Sequence, residues 1–533
     1  MTLAAMKRPI PTLEITHPDT PASLRVLTPG ANAFLAHLAD EFTERQRSLL
    51  AAREQRQAAY DAGSLPDFDP QTRNIREGEW CVAPIPAEVQ DRRTEITGPV
   101  TRKMMINALN SGAQCYMADF EDSTSPTWQS IMEGQANLYD ACRGQLEHTT
   151  PGGRHYQQNE DSAVLMVRPR GLHLPTRHLR MHGRPIPGSL VDFGLYLFHN
   201  HEALQKRGKQ PYFYLPKLEH WEEAAYWEDV IAWSEQQLGL PHGTVKVSVL
   251  IETLPAVFQM HEIMHALKDR LLALNCGHWD YISSYIKTLR AHPDRVLPDR
   301  AEVTTSVPFI EAYSRLLVNT CHRRGALAMG GVSAEIPVRG DAQADAAAMA
   351  AVIADKRREA ERGHDGTWIA HPALEPLARA EFDAVMDGPN QLQQEIEPVQ
   401  ISAEELLAPC AGAITEAGVR SNIRVAIIYL AGWMEGKGAL PIDNLMEDVA
   451  TAEIARTQLW QWGTHGAQTD SGQTISKAWL MQLFDEEQAK LLAAGANGKT
   501  PAVNKSAALL REMTRQQELE TFLTLPAYPQ LVD

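Results

Sequence analysis

Between residues 114 and 371 the chain repeats one pattern seven times: a short apolar run closed by polar, Gly or Pro residues, then a longer stretch with helical spacing. The runs are QCYMADF (114–120), AVLMVR (163–168), YFYLP (212–216), VKVSVLI (245–251), LLALNC (271–276), GALAMG (325–330) and TWIAH (367–371). The stretches between them include EEAAYWEDVIAWSEQQL and the Ala-rich DAAAMAAVIADKRREAE. Strands that alternate with helices pair in parallel and are covered on both faces, which is why they are apolar throughout. Seven such strands over about 260 residues predict an α/β fold, a (β/α)8 TIM barrel whose eighth strand has no obvious run. A doubly wound open sheet is the competing architecture.

The flanks are different. Thr28 and Pro29 suit a helix start, and Phe34, Leu35, Leu38, Phe42, Leu49 and Leu50 form a helical stripe over 29–60. After 405 the chain turns helical again, through VRSNIRVAIIYLAGWMEG, ATAEIARTQLWQWG, SKAWLMQLFDEEQAKLLAAG and AALLREMTRQQELETFL. The 533 residues therefore divide into an N-terminal helical clasp (1–98), a barrel (99–387), a linker (388–405) and a C-terminal helical unit (406–533).

Composition narrows the partners. The chain has 67 acidic and 50 basic residues, a formal charge of −17, so a duplex or an anionic lipid surface would repel it. An anionic small substrate stays open, because one metal ion or basic pocket inverts the sign locally. The six cysteines, at 81, 115, 142, 276, 321 and 410, have no CxxC spacing, which excludes a zinc ribbon and argues for a reducing compartment. The N-terminus lacks the apolar core of a signal peptide, no run of 18 apolar residues occurs, and the QLVD end is not an SKL address. A cytoplasmic protein bound to neither nucleic acid nor membrane is expected.

The strand ends carry the chemistry. In a parallel barrel the C-terminal ends of the strands form the active-site face. Here they run into Asp119, Glu121 and Asp122, then Arg168 and Arg170, Lys217, Glu252 and Asp280. Carboxylates crowded on one mouth repel each other unless they share a hard divalent cation, and Glu252 and Asp280 on adjacent strands suit Mg2+. An arginine beside such a site offers a fixed cationic fork to an oxyanion. Two other motifs are weaker. HEIMH (261–265) fits a zincin pattern, but Lys268 and Leu271 stand where a metzincin needs Gly and His, and an outer barrel helix is expected instead. GWMEGKG (432–438) is one residue short of a phosphate loop and is read as a turn after a helix. Glu447 and Asp448 precede a helix, either as dipole-favoured acids or as a proton acceptor aimed at the barrel mouth.

DRRTEITGPV (91–100), MADFEDS (117–123), RPRGLHLP (168–175), LIETLPAVFQM (250–260), LNCGHWDYI (274–282), GTWIAHP (366–372) and LMEDVATAE (445–453) together resemble the malate synthase family, in its shorter isoform A type. The resemblance spans nearly the whole chain. It departs at Arg270, Ala273 and Ser283, where His, Gly and Phe are usual, and at Ala439, where some members carry a cysteine. The resemblance implies a monomer that joins acetyl-CoA to glyoxylate and hydrolyses malyl-CoA to malate and CoA, in the glyoxylate cycle. By position, Glu252 and Asp280 would bind Mg2+, and Arg168, Glu252 and the Gly277, His278, Trp279 and Asp280 segment would hold glyoxylate. Asp448 would be the base and Arg168 the enolate stabiliser, with Ser123 and Pro372 touching CoA. Asp119, Glu121 and Asp122 would surround the metal through its waters. The C-terminal unit would plug the mouth. A malyl- or citramalyl-CoA lyase, a zinc hydrolase using HEIMH and a catalytically inert scaffold are the alternatives.

Overall fold

The computed structural model describes residues 11–394, 399–494 and 500–532. Eight parallel strands close into a barrel: β1 (Thr94–Pro99), β2 (Cys115–Asp119), β3 (Val164–Arg168), β4 (Tyr212–Leu215), β5 (Lys246–Ile251), β6 (Leu271–Cys276), β7 (Leu327–Val332) and β8 (Gly366–Ile369). Closure is made by β8 against β1, with Thr367 opposite Thr94 and Ile369 opposite Ile96. That pairing excludes the open sheet. All seven expected runs are barrel strands.

The strand that sequence reading leaves unplaced is the first. TEITGP contains one aliphatic residue besides its proline, so it has no apolar run to detect. It also moves a boundary: the barrel starts at Thr94, inside the segment assigned to the clasp and ahead of the expected division between 98 and 99. Its polarity has a physical cause. Glu95 points into the barrel, where it pairs with Arg92 and accepts hydrogen bonds from the Tyr214 hydroxyl and from Trp368 Nε1 (3.0 Å). The barrel floor is thus a satisfied polar network, which the low interior dielectric strengthens only because every member has a partner.

The clasp is the helix α1 (Pro29–Asp61), capped by Thr28, whose hydroxyl accepts from the Ala31 amide at 3.3 Å. It lies on the outer helices Gly188–Lys206 and Trp221–Leu238, burying Phe34, Leu35, Leu38 and Phe42. Near its end Arg53 is buried against Glu223, with two N–H···O contacts of 2.7 Å, and donates to the Lys217 carbonyl at 2.7 Å. A helix on the outside thereby reaches the end of β4.

The helix α2 (His278–Thr288) follows β6 and packs along the C-terminal unit. That unit has its own apolar core, including Ile423, Ile427, Trp433, Leu459, Trp462, Leu480 and Phe484. Its helices are α3 (Glu416–Met434), α4 (Val449–His465), α5 (Lys477–Ala493) and α6 (Thr500–Arg515). Between α3 and α4 a two-stranded hairpin, Leu440–Ile442 with Leu445–Glu447, turns through Asp443 and Asn444 at φ 51° and 65°. Asp and Asn tolerate this left-handed turn better than most residues. Part of the expected linker, 395–398, lies outside the described residues. Among the described residues no helix is long and apolar enough to cross a membrane.

Replacing Arg53 by Ala would strand the buried Glu223 carboxylate. Breaking a buried pair from one side costs about 3–5 kcal/mol, so the Arg53→Ala variant is expected to unfold several degrees lower by scanning calorimetry. An unchanged midpoint would show that the pair contributes nothing net.

Candidate active site

The strand ends converge as a barrel requires. A cavity of about 420 Å³ opens at the C-terminal face, lined by Asp119, Asp122, Arg168, Glu252, Gly277 and Asp280 from the barrel and by Lys437, Met446 and Asp448 from the C-terminal unit. The C-terminal unit therefore forms part of the wall.

Asp119 organises the loop after β2. Its two oxygens accept from the amides of Glu121 and Ser123 (both 2.8 Å), the Ser123 hydroxyl (2.7 Å), and Arg168 Nε and Nη2 (both 2.7 Å). The bidentate grip fixes the plane of Arg168 and leaves Nη1 3.0 Å from Asp122 and facing the other acids. Asp119 is therefore the brace of Arg168, a role that no spacing rule reveals.

Asp122 turns out to stand with Glu252 and Asp280: each offers one carboxylate oxygen, and the three oxygens lie within 4.8 Å of one another. Among the described residues this is the one such group. The resemblance places Asp122 around the metal through its waters; here one of its oxygens also lies close enough to those of Glu252 and Asp280 to share a cation directly. Three converging hard oxygen donors fit a Mg2+-type cation, which takes carboxylates and completes its shell with waters and substrate oxygens. Charge argues the same way. Asp119, Glu121, Asp122, Glu252, Asp280 and Asp448 outnumber the cations paired directly with them, Arg168 and Lys217. Burial, and the Asp122 charge beside each, push the Glu121 and Asp280 carboxyls well above the usual range. Glu252 is raised mainly by burial. Such acids are short of positive charge, and a divalent ion supplies it.

Lys217 is the second cation. Its ammonium lies 2.8 Å from Glu121, 2.9 Å from Asp122 and 3.1 Å from Asp280, and its own amide donates to Glu252 at 2.6 Å. Its backbone has φ of 52°, a left-handed conformation that costs a non-glycine residue about 1–3 kcal/mol. The Arg53 and Glu252 hydrogen bonds hold it there. Lys217 is thus a buried bridge between acids.

The Gly277–Asp280 segment is the N-terminus of α2. Its first amides have no intrahelical partners and present a positive dipole end to the cavity. Gly277 is required here: a Cβ would lie 2.5 Å from the Glu252 Cβ and 2.9 Å from Oε2. The His278 ring is buried and turned to the back of β7 against Gly331, and burial holds it neutral, at about 4. His278 is also among the residues lining the cavity. Trp279 walls the cavity and donates to the Val332 carbonyl at 3.0 Å.

Asp448 caps α4. Its Oδ1 accepts from the Thr451 amide at 3.2 Å, leaving Oδ2 free. Burial first, and the charge of Asp122 second, push this carboxyl up to about 7 despite the cap. Ser123 lines the cavity, although Asp119 takes its hydroxyl, whereas Pro372 lies two residues beyond the lining residue Ala370. Arg170 turns away onto Asp192, with two contacts of 2.8 Å. The HEIMH histidines lie on an outer helix, where Arg76 (2.5 Å) and the Thr72 hydroxyl (2.7 Å) take Glu262, Arg324 donates to His261 (3.2 Å), and His265 meets Trp80 edge-on. The GWMEGKG segment is a turn after α3, and Gly436, Lys437, Gly438 and Ala439 line the cavity. Arg270, a departure from the family pattern, is compensated by Glu228 (2.7 Å) and Glu235 (3.1 Å).

A closed eight-stranded barrel with a buried acidic mouth, walled on one side by a carboxylate of the C-terminal unit, has the architecture of a (β/α)8 enzyme with its site at the C-terminal face. Comparison with known proteins then identifies the family. The malate synthase TIM barrel domain matches residues 164–409, the malate synthase C-terminal domain 413–531 and the malate synthase N-terminal domain 12–74. Malate synthase of Myxococcus xanthus (strain DK1622) is 51% identical over 517 residues, covering 97% of this chain and 95% of the relative. Malate synthase A of Escherichia coli (strain K12) is 49% identical over 522 residues, 97% of each chain. Glyoxysomal malate synthase of Zea mays is 48% identical over 521 residues, covering 95% and 93%. The chain belongs to the malate synthase family, and its activity is that of the family: an acyltransferase that makes malate in the glyoxylate cycle.

Because Gly277 abuts Glu252, the Gly277→Ala variant is expected to bind Mn2+ at least about tenfold more weakly in a spin-resonance titration, the usual scale when support around a ligand is disturbed. Unchanged affinity would remove Glu252 from the ligand set.

Proposed function

We propose that this mouth condenses acetyl-CoA with glyoxylate and hydrolyses the resulting thioester, with Asp448 as the base. The observation that carries the assignment is the placement of Asp448: a carboxylate with one free oxygen, on a different domain from the acid trio, raised to about 7 where a general base works best. Asp122, Glu252 and Asp280 would hold Mg2+, which supplies Lewis-acid polarisation of the glyoxylate aldehyde. The first-turn amides of α2 receive the glyoxylate carboxylate. Asp448 Oδ2 removes a proton from the acetyl methyl group. The Arg168 guanidinium, locked by Asp119, faces the enolate oxygen that develops, so the stabilising charge is oriented before the reaction begins. The methyl carbon then bonds to the aldehyde carbon. Water cleaves the thioester and releases malate and CoA, which drives the sequence forward.

The cavity extends beyond the acids along Thr97, Met104, Ser125, Lys437 and Pro441. This stretch mixes apolar Met104 and Pro441 with the hydroxyl residues Thr97 and Ser125, suits the amide-bearing pantetheine chain of acetyl-CoA, and adds the ammonium of Lys437. It runs between barrel rim and C-terminal unit. A lyase reading would not need a base presented from a separate helical unit, and the Asp448 geometry favours the synthase.

Asp448→Asn keeps the cap oxygen and removes the base. Turnover is expected to fall by about 10²- to 10⁴-fold, while Mg2+ and glyoxylate binding, measured by calorimetric titration, stay close to wild type. Loss of metal binding would contradict the assignment. The pH dependence follows from the sign of the shift. Asp448 carries a proton below about 7 and cannot accept another, so log kcat should rise with pH, approaching unit slope below about pH 6, bend near 7 and level off above. A flat kcat across that interval would contradict Asp448 as the base.

A further inference from the structure

The hairpin that carries Asp448 holds a second carboxylate that the reaction leaves unused. Glu447 is 1% exposed, and it is absent from the cavity wall to which its neighbours Met446 and Asp448 contribute. Alternation along the strand turns it to the opposite side. There Arg300 meets it with both terminal nitrogens: Nη2 lies 2.7 Å from Oε1 and Nη1 2.9 Å from Oε2, and Nη1 also approaches the Thr451 carbonyl at 3.5 Å. A bidentate guanidinium–carboxylate pair fixes distance and plane together.

The origin of Arg300 is informative. It sits in a single turn, Arg300–Glu302, on the strap that follows α2, the helix whose first turn contains Asp280. The strap is stitched to the C-terminal unit. The Leu297 amide donates to Gln461 (3.1 Å), Trp462 donates to the Leu297 carbonyl (2.8 Å), Gln458 to the Pro298 carbonyl (2.7 Å), and the Thr415 hydroxyl to Asp299 (2.6 Å). The hairpin's other ties to the barrel are backbone contacts, Met446 N to Ala334 O at 2.8 Å and Val449 N to Asp122 O at 3.4 Å. These fix the hairpin's course, and the Thr451 amide holds Asp448 Oδ1; the Arg300–Glu447 pair is a side-chain tie that fixes how deeply the hairpin sits.

We propose that Arg300 is a positioning residue for proton abstraction: by gripping Glu447 it sets the depth at which the hairpin presents the adjacent, Thr451-capped Asp448 carboxylate to the acetyl methyl group. This rests on the reading of Asp448 as the base. Without Arg300, Glu447 becomes an unpaired buried carboxylate beside Asp448, and the hairpin relaxes toward water. Proton transfer is steeply distance-dependent, so a small displacement there lowers kcat. Glyoxylate binding is spared, because its determinants, the acid trio, Arg168 and the first amides of α2, lie on the barrel side of the cavity.

The test compares the Mg2+-loaded wild type with Arg300→Gln, Arg300→Lys, Glu447→Gln and the Arg300→Gln/Glu447→Gln double variant. It measures kcat, KM for glyoxylate, and the isotope effect on kcat with methyl-trideuterated acetyl-CoA. Arg300→Gln should lower kcat about 30- to 100-fold with KM for glyoxylate within about twofold. The isotope effect should be no smaller than in wild type, because the impaired step is the C–H cleavage. Arg300→Lys should recover part of the loss. The double variant should be no slower than the worse single variant, since the pair acts as a unit. Any one of three results overturns the proposal: kcat within about threefold of wild type in Arg300→Gln, an isotope effect collapsing toward unity, or multiplicative losses in the double variant. Should Arg300→Gln fail to fold, Glu447→Gln and Arg300→Lys carry the same expectations. Two controls separate the underlying reading. A wild type that releases no CoA refutes the reaction itself, and an active Asp448→Asn refutes the base, whatever Arg300 does.

Discussion

A buried ammonium among three carboxylates is the contact on which the mouth depends. Lys217 Nζ holds Glu121, Asp122 and Asp280 within 3.1 Å, although each of these acids comes from a loop or helix start that would otherwise spread apart. Isolated, such a cluster would take up protons and lose its charge; tied to Lys217 and Arg168, it stays compact and keeps its ligand oxygens in place. The cost appears as the left-handed backbone of Lys217, and the outer clasp meets it through Arg53 on the Lys217 carbonyl. A residue in the N-terminal helix is thus coupled to the acids that would bind the cation.

The same arrangement explains why three units are needed. The barrel supplies the acid trio, Arg168 and the amides at the start of α2. The C-terminal unit supplies Asp448 at the start of α4, which packs along α2. Two helix N-termini therefore face one cavity, each favouring negative charge in front of it. Gly438 marks how closely the second unit approaches: a Cβ there would overlap the Ser123 carbonyl. A net charge of −17 does not exclude anionic substrates, because a divalent ion held by the acid trio beside Arg168 and Lys217 would invert the sign locally.

The apolar runs made seven barrel strands readable, because parallel strands are buried on both faces. The eighth, Thr94–Pro99, has no such run for the opposite reason: its buried start is polar at Thr94 and Glu95, and the interior answers Glu95 with Arg92, Tyr214 and Trp368 rather than with apolar packing. At the site, Glu252, Asp280, Arg168 and Asp448 were legible from strand ends and family resemblance, and the structure brings them to one cavity. Asp122 among the acid trio, Asp119 as the brace of Arg168 and Arg300 on Glu447 were not. Each depends on contacts between residues tens to more than a hundred positions apart, and periodicity carries no information about those. Lys217 was visible as a charge, while its left-handed backbone was not.

Release of free thiol from acetyl-CoA and glyoxylate, followed with and without Mg2+, tests the central claim most directly, because it reports condensation and hydrolysis together. The account predicts stoichiometric CoA and malate that depend on the divalent cation. Accumulation of an intact malyl-CoA thioester without free thiol, or thiol release indifferent to Mg2+ removal, would contradict it.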